Sequence, residues 1–233
     1  SQHLLGLIND MLDISKIEAG KTTLNLSDEN IVDLIENIDS IIRPQMKAKG
    51  HTFEVYSLEL KHERVVMDKL RLNQILLNLL SNALKYTPDG GRITLTVQEL
   101  RQHAKQLAHY RFIVADNGYG MSPEYLQRIF HAFTREEDSV TNKIQGTGLG
   151  MAITKNLLDL MGGNISVISE KGEGSVFTVE LELHISEQEM DQNFWHSNGI
   201  SRILVVDDEN VICQNIQMTM EGTGTTVDYT LDG

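Results

Sequence analysis

Positive charge is scarce in this sequence: 20 lysines and arginines stand against 33 aspartates and glutamates, a formal net charge of −13 over 233 residues. A groove for a nucleic-acid backbone needs the opposite sign, which excludes DNA and RNA as expected ligands. The lone cysteine, Cys213, cannot close an internal disulfide and suits a reducing cytoplasm. No apolar run approaches the roughly 20 residues of a membrane-spanning helix, and no signal-peptide pattern opens the chain. Internal repeats and low-complexity tracts are also missing. What is present is 40% hydrophobic residues, enough for a packed core, in a length that allows one domain with a remainder or two small ones. Because the chain opens on Ser1 and stops within a unit that reads as unfinished, it is read as a piece of a longer protein, with room for a membrane anchor upstream.

Hydrophobic spacing predicts a helix over residues 1–18, with Leu4, Leu5, Ile8, Met11 and Leu12 on one side, Leu7, Ile14 and Ile17 widening the stripe, and Gly20 ending it. So much apolar surface requires partners. From Thr22 the pattern becomes mixed α/β. A strand over 22–26 leads to Ser27 and Asp28 as N-cap candidates for a helix that buries Ile31, Leu34, Ile35, Ile38, Ile41 and Ile42, is interrupted or kinked at Pro44, and closes at Gly50. Strands follow over 53–58 and 64–68, then the most strongly patterned helix, 69–86, and a turn at Thr87-Pro88-Asp89-Gly90-Gly91. Strands over 93–100 and 110–115, helices near 122–130 and 148–161, and a hairpin of 165–169 with 175–183 complete this part. Residues 187–199 are polar and linker-like. A compact buried-strand signal over 202–206 ends in Asp207-Asp208, followed by a helix to about Glu221 and another strand from Val227.

Four features carry chemistry. In helix 69–86, Arg71, Gln74, Asn78, Asn82 and Lys85 recur at helical spacing and line one face beside the apolar stripe. Neutral amide oxygens suit Mg²⁺ when phosphates already bring the negative charge, and Lys85 adds a point charge for those phosphates; a solvated helix face accounts for the pattern equally well. Asp116-Asn117-Gly118-Tyr119-Gly120 follows a strand directly. A carboxylate there can accept the exocyclic amine of adenine and repel the carbonyl of guanine, although Asp-Asn-Gly is also common turn chemistry. Gly146-Thr147-Gly148-Leu149-Gly150 opens a helix, where bared N–H groups form an anion site. It is not a P-loop, and the polar stretch 135–145 before it reads as a lid rather than as the strand a dinucleotide fingerprint needs. Finally, Gly172-Glu173-Gly174-Ser175, with Phe177 and Thr178 behind it, closes a hairpin.

In this order the four features resemble the ATP-binding domain shared by histidine kinases, gyrases, heat-shock chaperones and mismatch-repair ATPases. The run Asn78-Leu79-Leu80-Ser81-Asn82-Ala83-Leu84-Lys85-Tyr86-Thr87 is similar to the kinase asparagine box, and Ile129-Phe130-His131-Ala132-Phe133 to the phenylalanine box. The glycine runs at 116–120, 146–150 and 172–175 resemble the three glycine boxes. Residues 11–20 resemble the second helix of a kinase dimerisation domain, and Ile203-Leu204-Val205-Val206-Asp207-Asp208-Glu209 the opening of a receiver. The resemblance is therefore to a hybrid sensor histidine kinase, and it implies four parts. These are a partial dimerisation and phosphoacceptor domain (1–19), an ATP-binding catalytic domain (20–186) with a two-layer α/β sandwich, a linker (187–199) and the start of a doubly wound receiver (200–233).

Residue by residue, the resemblance implies that Asn78 and Asn82 hold Mg²⁺ with ATP, that Lys85 lies near the phosphates, and that Tyr86 packs by the adenine whose amine Asp116 binds. Gly118 and Gly120 shape that pocket, Thr178 helps through water, Arg135 reaches the terminal phosphate, and Thr147, Gly148, Leu149 and Gly150 line the phosphate chain. Asp207 and Asp208 would hold Mg²⁺ in the receiver. Hydrolytic members of the superfamily set a Glu where this chain has Asn78, so phosphoryl transfer to an imidazole is favoured over hydrolysis. The acceptor histidine belongs to an absent first dimerisation helix, and none of the eight histidines present has its surroundings. The implied partners are a second copy through the dimerisation helices and a receiver in cis or a separate response regulator. The implied location is the cytoplasm, with any membrane attachment through upstream segments. A nucleotide-gated scaffold without kinase activity and a hydrolytic ATPase are the alternatives.

Overall fold

The computed structural model describes residues 22–101, 104, 106–136, 147–187, 199–207, 212–213, 216–217, 220 and 224–230. The expected helix over 1–18, most of the expected lid, the linker core and Asp208 lie outside these residues. The chain divides into two compact units, Ser1–His184 and Ile185–Gly233.

In the first unit, strand β1 (Ser27–Asn30) runs into helix α1 (Ile31–Ala48), and β2 (Thr52–Leu58) and β3 (Arg64–Met67) precede helix α2 (Lys69–Tyr86). Strands β4 (Arg92–Leu100) and β5 (Leu107–Asp116), the short helix α3 (Pro123–Leu126), helix α4 (Gly150–Leu160), and strands β6 (Asn164–Glu170) and β7 (Gly174–Ile185) follow. The sheet has the order β1-β3-β7-β5-β4-β2, with β6 also on β7, and is mixed: β2 runs parallel to β4, whereas β4–β5, β5–β7, β6–β7 and β1–β3 are antiparallel. One sheet face is buried. Val65, Leu95, Val97, Tyr110, Phe112, Val114, Val179 and Leu181 alternate inward to meet Leu34 and Ile38 of α1, Leu72, Leu76 and Leu79 of α2, and Leu157 and Leu158 of α4. This is the expected two-layer α/β sandwich.

Helix α2 begins where its sequence pattern does, because Asp68 follows the preceding strand directly and caps the helix. One carboxylate oxygen of Asp68 accepts the N–H of Arg71 at 3.0 Å, and the other accepts the N–H of Asn25 at 2.9 Å. With Asp68 only 4% exposed, loss of both bonds strands two backbone donors. Asp68→Ala is expected to cost on the order of 2 kcal/mol and lower the melting temperature by several degrees, with partial recovery in Asp68→Asn, as thermal unfolding would show.

Four expectations need correction. Residues 22–26 form no strand; the strand is 27–30, where Ser27 and Asp28 pair with Met67 and Val66 instead of capping a helix. The cap is Asn30, whose Oδ1 accepts the N–H groups of Val32 (2.7 Å) and Asp33 (3.3 Å). Pro44 does not interrupt α1, because it and Ser40, the residue four positions back whose carbonyl loses its donor, are both exposed to water. The regular helix near 122–130 is confined to Pro123–Leu126.

In the second unit, β8 (Arg202–Val206) and β9 (Thr226–Thr230) pair in parallel, with Arg202 bonded to Asp228 across the pair. A parallel pair of this kind needs a crossover connection between its strands. The buried-strand expectation for β8 does not hold among the described residues: Leu204 is 66% exposed, since β8 is paired only with β9 and one face is uncovered.

Candidate functional site

Helix α2 is the wall on which the site assembles. Asn78 and Asn82, one turn apart, meet the start of α4: Asn78 Nδ2 donates to Thr154 Oγ1 at 2.8 Å, and Asn82 Nδ2 contacts Met151 Sδ at 3.3 Å. Both amide N–H ends are thereby committed, which leaves each Oδ1 as the available acceptor. Gly150 has to be bare here, because a Cβ on it would stand 2.5 Å from Asn78 Oδ1. Lys85 is exposed on the last turn of the same face.

About 12 Å further along the axis, eight residues at 1.5 Å each, the C-terminal end of α2 meets the loop after β5. The N–H of Tyr119 donates to the Tyr86 carbonyl at 3.0 Å. Gly118 lies so close to that carbonyl that a Cβ would approach it to 2.3 Å, and Gly120, at φ +63°, would put a Cβ 1.9 Å from the Glu170 carbonyl oxygen. Asn117 serves the sheet, its Oδ1 accepting the Arg92 N–H at 2.7 Å. Asp116 is the chemical group. Burial pushes its carboxyl up to about 6, although the N–H groups of Gly118 and Ser175 bond to it and pull the other way. Among the described residues no cation pairs with it. A largely desolvated carboxylate with no counter-ion is costly unless a ligand donor completes it.

Arg135 and Glu136 come beside Tyr86 and Tyr125: both phenols are raised by burial, and the Arg135 charge opposes that rise in each. Gly148, at φ +72°, packs its backbone on Phe133 and Thr134, and its carbonyl accepts the Phe133 N–H at 2.9 Å. The Thr147 hydroxyl accepts the Leu149 N–H at 3.2 Å. Helix α4 then opens with no side-chain cap and no acidic residue in its first turn, leaving its first N–H groups for an anion.

Thr178 does not join this group. It pairs with Ile113 on the outer face of the sheet, whereas Ser175 is the register partner of Asp116 and is 8% exposed. The hydroxyl beside the carboxylate is therefore that of Ser175. Strand alternation puts Ser175 on the same face as Phe177, Val179 and Leu181, and the pairing with β5 decides that this face meets Asp116. Asp207 ends β8, its N–H donating to the Thr230 carbonyl, and its proposed metal partner Asp208 lies outside the described residues. No cluster of three metal-ligating His, Cys, Asp or Glu residues exists among the described residues.

Residues 67–185, just over half of the chain, match the family described as histidine kinase-, DNA gyrase B-, and HSP90-like ATPase. The chain belongs to that family. Within this ATPase family it is similar to LuxQ, the autoinducer 2 sensor kinase/phosphatase of Vibrio vulnificus, with 35% identity over 94% of this chain and 27% of LuxQ. It is also similar to the sensor protein GacS of Pseudomonas syringae, with 34% identity over 96% of this chain and 24% of GacS. The chain thus spans roughly a quarter of the curated relatives it matches. Among solved structures, full-length ShkA in complex with AMPPNP aligns with a TM-score of 0.68 and 27% identity over 99% of this chain and 46% of that one. The catalytic domain of histidine kinase ThkA aligns with a TM-score of 0.56 and 25% identity over 68% of this chain and 95% of that domain. The expected ATPase-family α/β sandwich and the relation to sensor kinases are borne out. No helix among the described residues is long and apolar enough to cross a membrane.

Proposed function

We propose that this chain is the ATP-binding catalytic region of a hybrid sensor histidine kinase, which delivers the γ-phosphoryl group of ATP to a histidine on a dimerisation helix and onward to a receiver aspartate. The observation that carries it is Asp116: a buried carboxylate without a counter-ion, flanked by glycines that touch backbone, at one end of the helix that holds Asn78 and Asn82. The purine amine completes Asp116, and the triphosphate lies along α2 toward the open N-terminus of α4. Asn78 and Asn82 fit Mg²⁺ through their free Oδ1 atoms, and the ion supplies charge neutralisation at the phosphates. Lys85 and Arg135 add positive charge there, and the chain's part in transfer is to position the nucleotide and exclude water.

Asn78 cannot act as a base on water, and its amide is already bonded to Thr154. That favours transfer to an imidazole over steady hydrolysis. Residues 1–19 are read as dimerisation helix, 20–186 as catalytic domain, 187–199 as linker and 200–233 as receiver. A homodimer, a receiver or response regulator as phosphate acceptor, a cytoplasmic site of action, and Mg²⁺ at Asp207 and Asp208 belong to the same reading.

Equilibrium titration with a fluorescent ATP analogue, with and without Mg²⁺, and a phosphate-release assay test it. Mg-dependent binding without steady phosphate release is expected. In Asn82→Ala the Mg²⁺ dependence should fall by roughly tenfold or more, about the loss of one charge-assisted contact. Steady phosphate release abolished by Asn82→Ala would move the protein to the hydrolytic ATPases, and no nucleotide binding at all would leave a scaffold.

A further inference from the structure

The purine end of the site holds a pair of serine hydroxyls whose proton directions can be read from their partners. Ser169 and Ser175 face each other across β6 and β7, with their Oγ atoms 3.1 Å apart, and Ser175 in turn faces Asp116 across β7 and β5. Ser169 Oγ also accepts the N–H of Met121 at 3.0 Å and donates to the carbonyl of Gly174 at 2.6 Å. A serine hydroxyl has one proton and two lone pairs. The Ser169 proton is committed to Gly174, so in the contact between the two hydroxyls Ser175 is the donor. The Ser175 proton is thereby turned away from Asp116, and toward the cleft its oxygen offers lone pairs only.

We propose that Ser169 is a positioning residue that fixes the polarity of Ser175 and so makes the pocket select 6-amino over 6-oxo purines. It rests on the adenine reading of Asp116. With the carboxylate and Ser175 both acceptors, a 6-amino group with two N–H donors is satisfied by both, directly or through one water. A 6-oxo purine could still give its N1–H to Asp116, but its O6 would face the lone pairs of Ser175. An unsatisfied acceptor of this kind is what discriminates between otherwise equal ligands. Once the Ser169 hydroxyl is gone, Ser175 can rotate and donate to O6.

The test compares the Kd values of ATP and inosine triphosphate, which differ at the 6-position, for the whole 233-residue chain. Ser169→Ala is expected to lower the ratio of inosine triphosphate Kd to ATP Kd by roughly three- to tenfold, and Ser169→Thr, which keeps the hydroxyl, to preserve it. Ser169→Cys fills the same space with a weak donor and should lower the ratio even if the alanine variant folds poorly. A purely structural role would weaken both nucleotides by one factor and lower the melting temperature with the ratio unchanged, and that result overturns the proposal. Asp116→Asn separates the two levels: if it leaves ATP affinity untouched, the adenine reading itself fails, whereas a large loss there beside an unchanged ratio in the Ser169 variants defeats the Ser169 assignment alone.

Discussion

Asp116→Ala is expected to weaken Mg-ATP binding by roughly 10- to 100-fold while leaving the fold intact, because it removes one charge-assisted hydrogen bond from a water-poor pocket. Titration of a fluorescent ATP analogue, with circular dichroism as the check on folding, measures it. The same carboxylate gives a pH signature. Burial pushes it up to about 6, and only the ionised form can accept the adenine amine without competition from its own proton. Affinity should fall about tenfold per pH unit below about 6, and the ratio to Asp116→Asn at each pH isolates this group from the titration of the phosphates. Stability runs the other way. An acid that holds its proton more tightly folded than unfolded favours folding at low pH and loses that contribution as pH rises from 3.8 through about 6, a difference of about 3 kcal/mol. Asp116→Asn should therefore raise the melting temperature of the nucleotide-free protein at pH 7 while impairing binding, the usual conflict between stability and function at a site.

The second large effect belongs to Gly174. At φ +100° its added Cβ would stand 2.0 Å from the Asp116 carbonyl oxygen, a backbone atom that can yield only if β5 and β7 part where Asp116 sits. Gly174→Ala is expected to cost more than about 3 kcal/mol and to abolish nucleotide binding. Gly172 is the matched control: it has φ +91° in the same turn but nothing within 4 Å of its added Cβ. Gly172→Ala should cost only the conformational penalty, roughly 1–2 kcal/mol, with binding retained. Equal losses in the two variants, by chemical denaturation and nucleotide titration, would show that turn conformation and not the contact with Asp116 decides.

These contrasts also mark what was legible in the sequence. Helix α2 and the positions of Asn78, Asn82 and Asp116 were readable because a helix face and a strand end are local properties. The boundary at 69 follows from one capping residue and one run of leucines and isoleucines. The choice between Ser175 and Thr178 was not readable in the same way. It depends on which parity of β7 faces the helices, and that is fixed by pairing with β5 some 60 residues away. The start of α1 failed for a similar reason. Ser27, Asp28 and Asn30 are all plausible caps by type, and β1 pairing with β3 removes the first two from contention. The exposure of Leu204 on β8 is likewise a matter of neighbours that composition alone does not supply.

The double use of Asp68 has a mechanical consequence. One of its oxygens grips the incoming backbone at Asn25 while the other anchors the first turn of the helix whose far end meets the loop after β5. A shift of the backbone at Asn25 is therefore shared with the first turn of α2 through one buried carboxylate, so the placement of the entering segment and the root of that helix are set by the same side chain.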